Sequence, residues 1–476
     1  MVHPTSPFSL RTVFVLGSLA AVLCCGVPLL AQTASQVQPP LTDRERQLLE
    51  RIESLEKRVA ALEGRPSTPA ESPKSVLGAT ATGAAATPAA ANVQSEQATK
   101  QGFLGLPGTT LNFYLDGYYG WNFNRPVGGV NLLRANDVLS NNFSLNQVGL
   151  ILERQPDVAA GRRYGGRVDL MFGQNTETVQ GGGQNEPRPQ VYRNIFQAYG
   201  TYVFPLGSGL TVDFGKFYSS LGFENNYAYD EINYSRSFYY NYLPFYHMGF
   251  RTTYKINDKF SVQHWLVNGA NQTEDFNGYK SNAFLFTINP KKSITWNVNY
   301  YVGQESRALV PDYNPTVPIL PTQPGLSTTP LPGPALNGRT HIFDTYANWS
   351  LTDKLTLAGE FDYVVSRLIS TGPQSHVIGG VGYVQYHFTQ KFALSGRFEY
   401  LKDARGLFSG LDQDLKEHTI TATYQFIPGF QTRIEYRRDF SNQPFFLTET
   451  PGLLKREQNT AALGLIWWFG GKRESW

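Results

Sequence analysis

The sequence of 476 residues has few charged side chains and almost no cysteine. Charged residues make up 17% of the chain, against about 25% in an average soluble domain. Beyond the N-terminal segment, no stretch approaches the roughly 20 apolar residues that a membrane-spanning helix requires. These shortages argue against both an ordinary soluble domain and a bundle of membrane helices. The formal net charge is only +3 and no basic stripe stands out, so no nucleic-acid partner is expected.

The two cysteines, Cys24 and Cys25, both lie in an N-terminal segment with the features of a secretory signal. Within residues 1–31 a positive flank precedes the apolar run 12–23, and Ala31 offers a small residue for cleavage. A short membrane anchor is the alternative. If cleavage falls near Ala31, the mature chain has no cysteine, which excludes disulfides, Cys-ligated metals and a thiol nucleophile.

Residues 41–63 follow a heptad pattern that is typical of a coiled coil. Because an isolated helix of this length is marginal in water, we expect it to pair with copies of itself. An amphipathic helix lying on its own domain is the alternative. Residues 64–110, rich in Ala, Pro and Thr, are predicted to form a flexible linker. The predicted coiled-coil core consists of Leu48, Ile52, Leu55, Val59 and Leu62.

After residue 110 the apolar residues recur every second position, as in strands with one apolar face. Phe392, Leu394 and Phe398 point one way, for example, while Arg397 and Glu399 point the other. Most candidate strands exceed the 5–6 residues usual in soluble sheets and match the ~9–11 of a membrane-spanning strand. The sixteen candidates are 111–124, 141–153, 163–173, 191–204, 209–217, 244–256, 258–270, 279–289, 292–304, 338–351, 354–368, 374–389, 391–403, 415–427, 429–441 and 456–469.

The connections between these strands alternate in length. Tight turns such as Asn257-Asp258 fall on one edge, and longer loops such as 174–190 fall on the other. Short periplasmic turns and long outer loops are the pattern of outer-membrane barrels. The abundance of aromatic residues (31 Phe, 27 Tyr and 7 Trp) suits the girdles of such barrels. The predicted fold is therefore all-β, a transmembrane antiparallel barrel of about 16 strands over 111–469, preceded by the coiled coil and linker and followed by a tail at 470–476.

Several motifs in the first half of this region resemble one family. They are Phe113-Tyr-Leu-Asp-Gly-Tyr-Tyr-Gly-Trp-Asn-Phe-Asn-Arg-Pro126, Asp213-Phe-Gly-Lys-Phe217, Asn233-Tyr-Ser-Arg-Ser237, Pro244-Phe-Tyr-His-Met-Gly-Phe250 and Val267-Asn-Gly269. Together and in this order they resemble the OmpL-like family of outer-membrane β-barrel porins (β-barrel porin-2). The resemblance implies a diffusion channel in the outer membrane and leaves its solute unassigned. It does not extend to the coiled coil or the linker.

Strand alternation predicts that six cationic and seven acidic side chains line the lumen, so neither sign dominates. Two interpretations are open. Opposed charges would create a transverse field that favours small polar solutes, or they would pair across neighbouring strands and hold the wall together. The predicted lining residues are Asp116, Arg167, Asp169, Asp213, Arg251, Lys255, Glu360, Asp362, Arg397, Glu399, Arg433, Glu435 and Arg437.

The loop 218–243 combines charges with many aromatic residues. We predict that it folds inward and narrows the pore. The alternative is an exterior loop that packs on a neighbouring protomer or on lipopolysaccharide. The candidate constriction residues are Glu224, Asp230, Glu231 and Arg236.

These features predict a porin for passive diffusion of small polar solutes or ions, in the outer membrane of a Gram-negative-type bacterium. We expect a homo-oligomer, trimer or dimer, in contact with lipid and lipopolysaccharide, with the coiled coil in the periplasm and peptidoglycan as a possible contact. No cofactor, metal or enzymatic activity is expected. One alternative is a structural anchor that reaches the cell wall through the coiled coil. A second is an outer-membrane hydrolase, which would need a serine beside a histidine that no spacing here provides.

Overall fold

The computed structural model describes residues 103–180, 186, 189–308 and 333–470. The predicted signal segment at 1–31 and the predicted coiled coil with its core residues Leu48, Ile52, Leu55, Val59 and Leu62 lie outside the described residues. The same holds for most of the linker and for the tail after Gly470.

Sixteen antiparallel strands close into one barrel, and the last of them pairs with the first. The predicted fold class is therefore confirmed. Two further short strands, β16 and β17, form a separate hairpin in the last long loop. The strands are β1 Thr109–Asn122, β2 Asn142–Arg154, β3 Tyr164–Phe172, β4 Ile195–Phe204, β5 Leu210–Tyr218, β6 Tyr246–Lys255, β7 Phe260–Val267, β8 Ser281–Lys291, β9 Ile294–Gly303, β10 Thr340–Ser350, β11 Leu355–Ser366, β12 Ser375–His387, β13 Phe392–Ala404, β14 Gln413–Ile427, β15 Phe430–Ser441, β16 Phe446–Leu447, β17 Leu454–Lys455 and β18 Glu457–Gly470.

Two strand ends differ from the predicted ones by more than two residues. β4 begins at Ile195 because the short helix Pro189–Tyr192 occupies the start of the predicted strand. β7 ends at Val267 because the chain turns at Asn271, whose φ of 55° lies in the left-handed region. Two other short helices are Asn175–Val179 and Phe238–Tyr242, and single 3₁₀ turns lie at Phe103–Gly105, Val127–Gly129 and Ala228–Asp230. None of the helices in the described ranges is long and apolar enough to cross a membrane.

The two faces of the wall differ in polarity, as β15 illustrates. Ile434 and Tyr436 point outward and are 61% and 46% exposed, whereas Arg433, Glu435 and Arg437 point inward and are at most 3% exposed. Ring closure leaves no unpaired strand edge, which is what a sheet in hydrocarbon requires. The barrel therefore presents an apolar face to lipid and a polar face to its interior.

Aromatic rings cluster on the outside of the barrel beside the short turns. Phe430 stacks on Trp467 with ring centroids 4.8 Å apart, and Phe426 stacks on Phe430 at 5.1 Å. Similar contacts join Tyr202 to Phe204 elsewhere on the same edge. Rings at this level match the aromatic girdle of a membrane interface.

Gly149 on β2 leaves room for the ring of Tyr114, and this predicts the effect of a single methyl group. A Cβ at Gly149 would lie 2.0 Å from Cζ of Tyr114, a ring that is 2% exposed and held edge-on by Tyr227 at 5.5 Å. We expect G149A to lower the free energy of unfolding by about 1–3 kcal/mol, as overpacking does. Guanidinium unfolding of the refolded protein in detergent measures the change.

The matched control is G200A in β4, where no atom lies within 4 Å of an added Cβ. We expect this variant to unfold within about 0.5 kcal/mol of the unsubstituted protein. Equal losses in the two variants would contradict the packing argument.

Candidate functional site

Residues 219–245, which connect β5 to β6, lie inside the barrel and are called the lumen loop below. Its contacts reach strands on all sides of the wall, so the loop crosses the interior rather than covering the outer mouth. The hydrogen bonds join Tyr234 Oη to Asp116 on β1 (3.0 Å), Asn226 O to Gln147 on β2 (2.7 Å), Tyr227 Oη to Gln197 on β4 (2.9 Å), Gly222 N to Asp344 on β10 (3.0 Å), Phe238 N to Glu399 on β13 (2.7 Å) and Tyr234 N to Glu435 on β15 (2.6 Å).

Two wall carboxylates hold the backbone of the lumen loop. Glu435 accepts hydrogen bonds from the N–H groups of Tyr234 and Ser235, at 2.6 and 2.9 Å. Glu399 accepts in the same way from the first two N–H groups of the short helix Phe238–Tyr242, at 2.7 and 3.0 Å. Bonds to a charged acceptor are stronger than neutral ones, and these lie out of water. The wall therefore positions the loop through its main chain.

Arg397 on β13 joins the lumen loop to the next strand. Its guanidinium donates to Glu224 of the loop and to Glu417 on β14, each at 2.7 Å, and to the carbonyl of Ser235 at 2.7 Å. All three charged side chains are buried. The planar fork of arginine can satisfy several acceptors at once, which suits it to this position.

Two arginines of β15 bind the loop's carbonyl oxygens. Arg433 donates to the carbonyls of Ala228 and Asn233 at 2.7 and 3.0 Å. Arg437 donates to the carbonyl of Arg236 and to the carboxylate of Asp439 on its own strand. Wall arginines thus complement the wall carboxylates, one set binding carbonyl groups and the other binding N–H groups.

The structure places twelve of the thirteen predicted lining residues in buried positions on the inner face of the wall. Lys255 differs, because it ends β6 at a short turn and is exposed, 2.7 Å from Asp258. The buried residues are Asp116, Arg167, Asp169, Asp213, Arg251, Glu360, Asp362, Arg397, Glu399, Arg433, Glu435 and Arg437.

Most of the cations on the inner face have a carboxylate partner. Arg251 lies 2.8 Å from Asp213, and Arg167 lies 3.3 Å from Asp169. These contacts favour the second interpretation of the lining charges, in which they hold the wall together, over a field between unpaired rows.

The four candidate constriction residues lie in different surroundings. Glu224, Glu231 and Arg236 are buried between the loop and the wall, whereas Asp230 is exposed. Burial raises the pKa of Glu231 to about 7, although the Arg236 guanidinium 3.9 Å away lowers it and Glu224 raises it further. This carboxyl group therefore titrates near neutral pH.

Two other long loops also enter the barrel, and strand alternation gives no sign of this. Arg134 of the first loop lies 2.6 Å from Asp439 on β15. In the second, Gln180 accepts from Lys216 at 2.5 Å, and Glu186 accepts from Tyr246 at 3.1 Å. Loop residues have no periodicity, so only buried contacts distinguish a loop inside the barrel from one outside it.

Cavities remain at both edges of the barrel. One of about 280 Å³ opens at the short turns beside β2 and β3 and is lined by Arg167, Tyr199 and Arg251 among others. Another of about 610 Å³ lies at the long-loop edge and includes Arg339 and Arg367.

A serine–histidine pair that the sequence does not predict lies where β5 ends and β6 begins. Ser219 Oγ is 3.2 Å from Nε2 of His247, and the carbonyl of Gly269 is 3.0 Å from its Nδ1. The side chains of the pair are buried, at 1% and 0% exposure, so no substrate reaches them. The histidine packs against Trp265 at 5.1 Å, which indicates a structural role.

Comparison with known proteins gives one family and many structural relatives. The family model described as "Putative beta-barrel porin-2, OmpL-like" matches residues 108–469. The anion-selective porin from Comamonas acidovorans superposes with a TM-score of 0.50 at 8% identity, covering 76% of this chain and 99% of that one. OmpT of Vibrio cholerae gives 0.48 at 11% identity (76% and 99% covered), and the channel DcaP of Acinetobacter baumannii gives 0.48 at 10% (76% and 97%). No curated protein matches the sequence.

Removal of the Arg397 guanidinium tests how strongly the lumen loop is held. R397A leaves Glu224 without this partner, and Glu417 keeps Arg437, 3.4 Å away, and the hydroxyl of Thr419. Because buried carboxylates that lose their partner are strongly destabilising, we expect a loss of about 3 kcal/mol in the free energy of unfolding. Guanidinium unfolding in detergent measures it.

R438A is the matched control, because Arg438 pairs with Glu457 at 2.5 Å on the exposed rim of β15. An exposed pair contributes less than about 1 kcal/mol. A loss in R438A as large as that in R397A would show that burial between wall and loop is not what matters.

Proposed function

Since the chain belongs to the OmpL-like β-barrel porin-2 family, we propose that it forms a channel in the outer membrane through which small polar solutes or ions diffuse. This membership confirms the resemblance that the sequence motifs carry. The observation that carries the proposal is the lumen loop, residues 219–245, held inside a closed barrel of sixteen strands by buried wall charges. A barrel of this size has room for an aqueous channel.

In this proposal the loop sets the aperture. Side chains on the wall of a wide water-filled pore would be wet, yet Arg397 and Asp362 are fully buried and Glu435 is 3% exposed. The passage left between loop and wall is therefore narrow. Its lining carries both signs of charge, so selection rests on size and polarity more than on the sign of the solute.

The proposed partners rest on separate features. The heptads at 41–63 support a homo-oligomer, dimer or trimer, with this helix in the periplasm and within reach of peptidoglycan. Arg339, His341 and Arg367 at the long-loop edge line one cavity, and their basic groups suit the phosphates of lipopolysaccharide.

A structural anchor is the second candidate function. The observation that favours it is the same filling of the lumen, which three loops enter. In an anchor the buried ion pairs would stabilise the barrel, and the coiled coil would reach the cell wall. A hydrolase is not proposed, because the family is one of porins and Ser219 and His247 are buried.

Shortening the lumen loop distinguishes the two candidates. We expect that replacing residues 225–240 with a short Gly-Ser linker raises the single-channel conductance in a planar bilayer several-fold, because the wall-to-wall obstruction is removed. The unsubstituted protein should already show small, stable conductance steps. A silent unsubstituted protein and a conducting variant would favour the anchor, with the loop acting as a plug.

The control is the same replacement at residues 368–373 between β11 and β12, where the side chains are mostly exposed. We expect its conductance to equal that of the unsubstituted protein. Conductance that stays unchanged after the lumen loop is shortened would exclude the loop as the constriction.

A further inference from the structure

Three acidic side chains meet on the inner face of β10 and β11. Asp344 and Asp362 lie directly opposite each other in the strand register, and Glu360 is the next inward residue along β11. One oxygen atom from each carboxylate lies within 4.8 Å of the others, and all three residues are buried. Like charges in directly opposed positions destabilise a strand pair. Something must therefore compensate this cluster.

No protein cation does so within the part of the chain that the structure describes. None of the three carboxylates there has a lysine, arginine or histidine nitrogen within 4.0 Å. No N–H or hydroxyl group donates to either oxygen of Asp362 or to Oδ1 of Asp344. A buried charge is strongly unfavourable unless it is paired, coordinates a metal or is neutralised by a proton. Elsewhere a wall carboxylate has an arginine partner, as in Arg251–Asp213, or accepts from backbone N–H groups, as Glu435 does.

A neutral residue supplies an independent sign of a ligand. Asn299 on β9 lies opposite Asp344 in the register and is 1% exposed. Its Nδ2 donates to Asp344 Oδ2 at 2.5 Å, which places the whole amide beside the cluster. The other atom of that amide, Oδ1, is buried and has no hydrogen-bond partner. The amide beside Asp344 therefore has an oxygen that is available as a ligand.

We propose that Asp344, Glu360, Asp362 and Asn299 bind one Ca²⁺ ion. Calcium prefers carboxylate and amide oxygens at 2.3–2.6 Å and accepts irregular geometry. Ligand atoms at about 2.4 Å on opposite sides of such an ion are about 4.8 Å apart. The three carboxylate oxygens all lie within 4.8 Å of one another, so one ion can reach all of them. The all-oxygen donor set disfavours zinc and copper, which take nitrogen and sulfur. Mg²⁺ demands near-octahedral geometry and keeps several waters, which a site of buried side chains does not suit.

The ion would lie where the lumen loop leaves the wall. Gly222 N donates to Asp344 Oδ2 at 3.0 Å, and the carbonyl of Ser220 accepts from Tyr346 Oη at 3.2 Å. A cation that fixes Asp344 therefore also fixes the start of the loop. Calcium would stabilise the loop without contacting the passage itself, and this holds whether the barrel conducts or only anchors.

Terbium luminescence of the full chain in detergent tests the site. Tb³⁺ replaces Ca²⁺ at oxygen sites, and nearby tyrosines such as Tyr383, which donates to Glu360 at 3.3 Å, sensitise its emission. We expect one saturable Tb³⁺ per chain that Ca²⁺ displaces, and an affinity at least ten-fold lower in D362N. The control D116N removes another buried wall carboxylate, held by Asn146 and Tyr234, and should bind as the unsubstituted protein does.

Two results would overturn the proposal. In one, the unsubstituted protein gives no saturable Tb³⁺ emission; in the other, D362N and D116N bind Tb³⁺ with the same affinity. D362N removes a repulsive charge, so it should fold in EDTA, and its unfolding temperature should not respond to Ca²⁺. If neither D362N nor D344N folds, the test rests on the unsubstituted protein alone. Its unfolding temperature must then rise with Ca²⁺ and fall with EDTA, and an unchanged unfolding temperature refutes the site.

Discussion

The hydrogen-bonding demand of backbone groups in hydrocarbon is the constraint on which this structure depends. Every N–H and C=O group of a strand in lipid needs a protein partner, and a sheet meets that demand only by closing on itself. The pairing of β1 with β18, from Asn112 opposite Gly470 to Asn122 opposite Thr460, completes the ring. Closure assigns every second side chain to an interior that lipid cannot reach. The polar interior, the inward loops and their charges all follow from that assignment.

The burial of the wall charges has a cause that is equally physical. Once the lumen loop enters, wall charges such as Arg397 and Glu435 lose water and must find partners within the protein. Arginine and carboxylate groups meet this need differently, since Arg433 binds carbonyl groups while Glu399 binds N–H groups. Removing either kind of wall group leaves a buried loop group without a partner. The loop and the wall therefore stabilise each other, and the width of the passage is a property of both together.

Alternation in the sequence predicts the strands, because a period of two is a local property and each strand shows it. The alternating short and long connections then predict the barrel. All sixteen barrel strands lie where alternation places them, with ends that shift by at most two residues except at the start of β4 and the end of β7. The loops inside the barrel can be predicted from the sequence only in part. An aromatic, charged composition indicates an inward fold for residues 218–243. The loop that carries Arg134 has no such composition, and it enters the barrel through a contact with Asp439, which is distant in sequence. The opposition of Asp344 to Asp362 likewise depends on strand register, which one residue of slip would change.

The wall holds the lumen loop through hydrogen bonds to its main chain, and this affects how the sequences of such channels can change in evolution. Glu435 and Glu399 bind N–H groups and Arg433 binds carbonyl groups, and every residue type except proline offers both. Many loop side chains could therefore be exchanged while the path of the loop stays the same. Descendants of one ancestral barrel could acquire different solute preferences by substitution at a few loop positions, with the sixteen strands unchanged. The same property makes the loop a natural place to graft new binding groups into an existing wall.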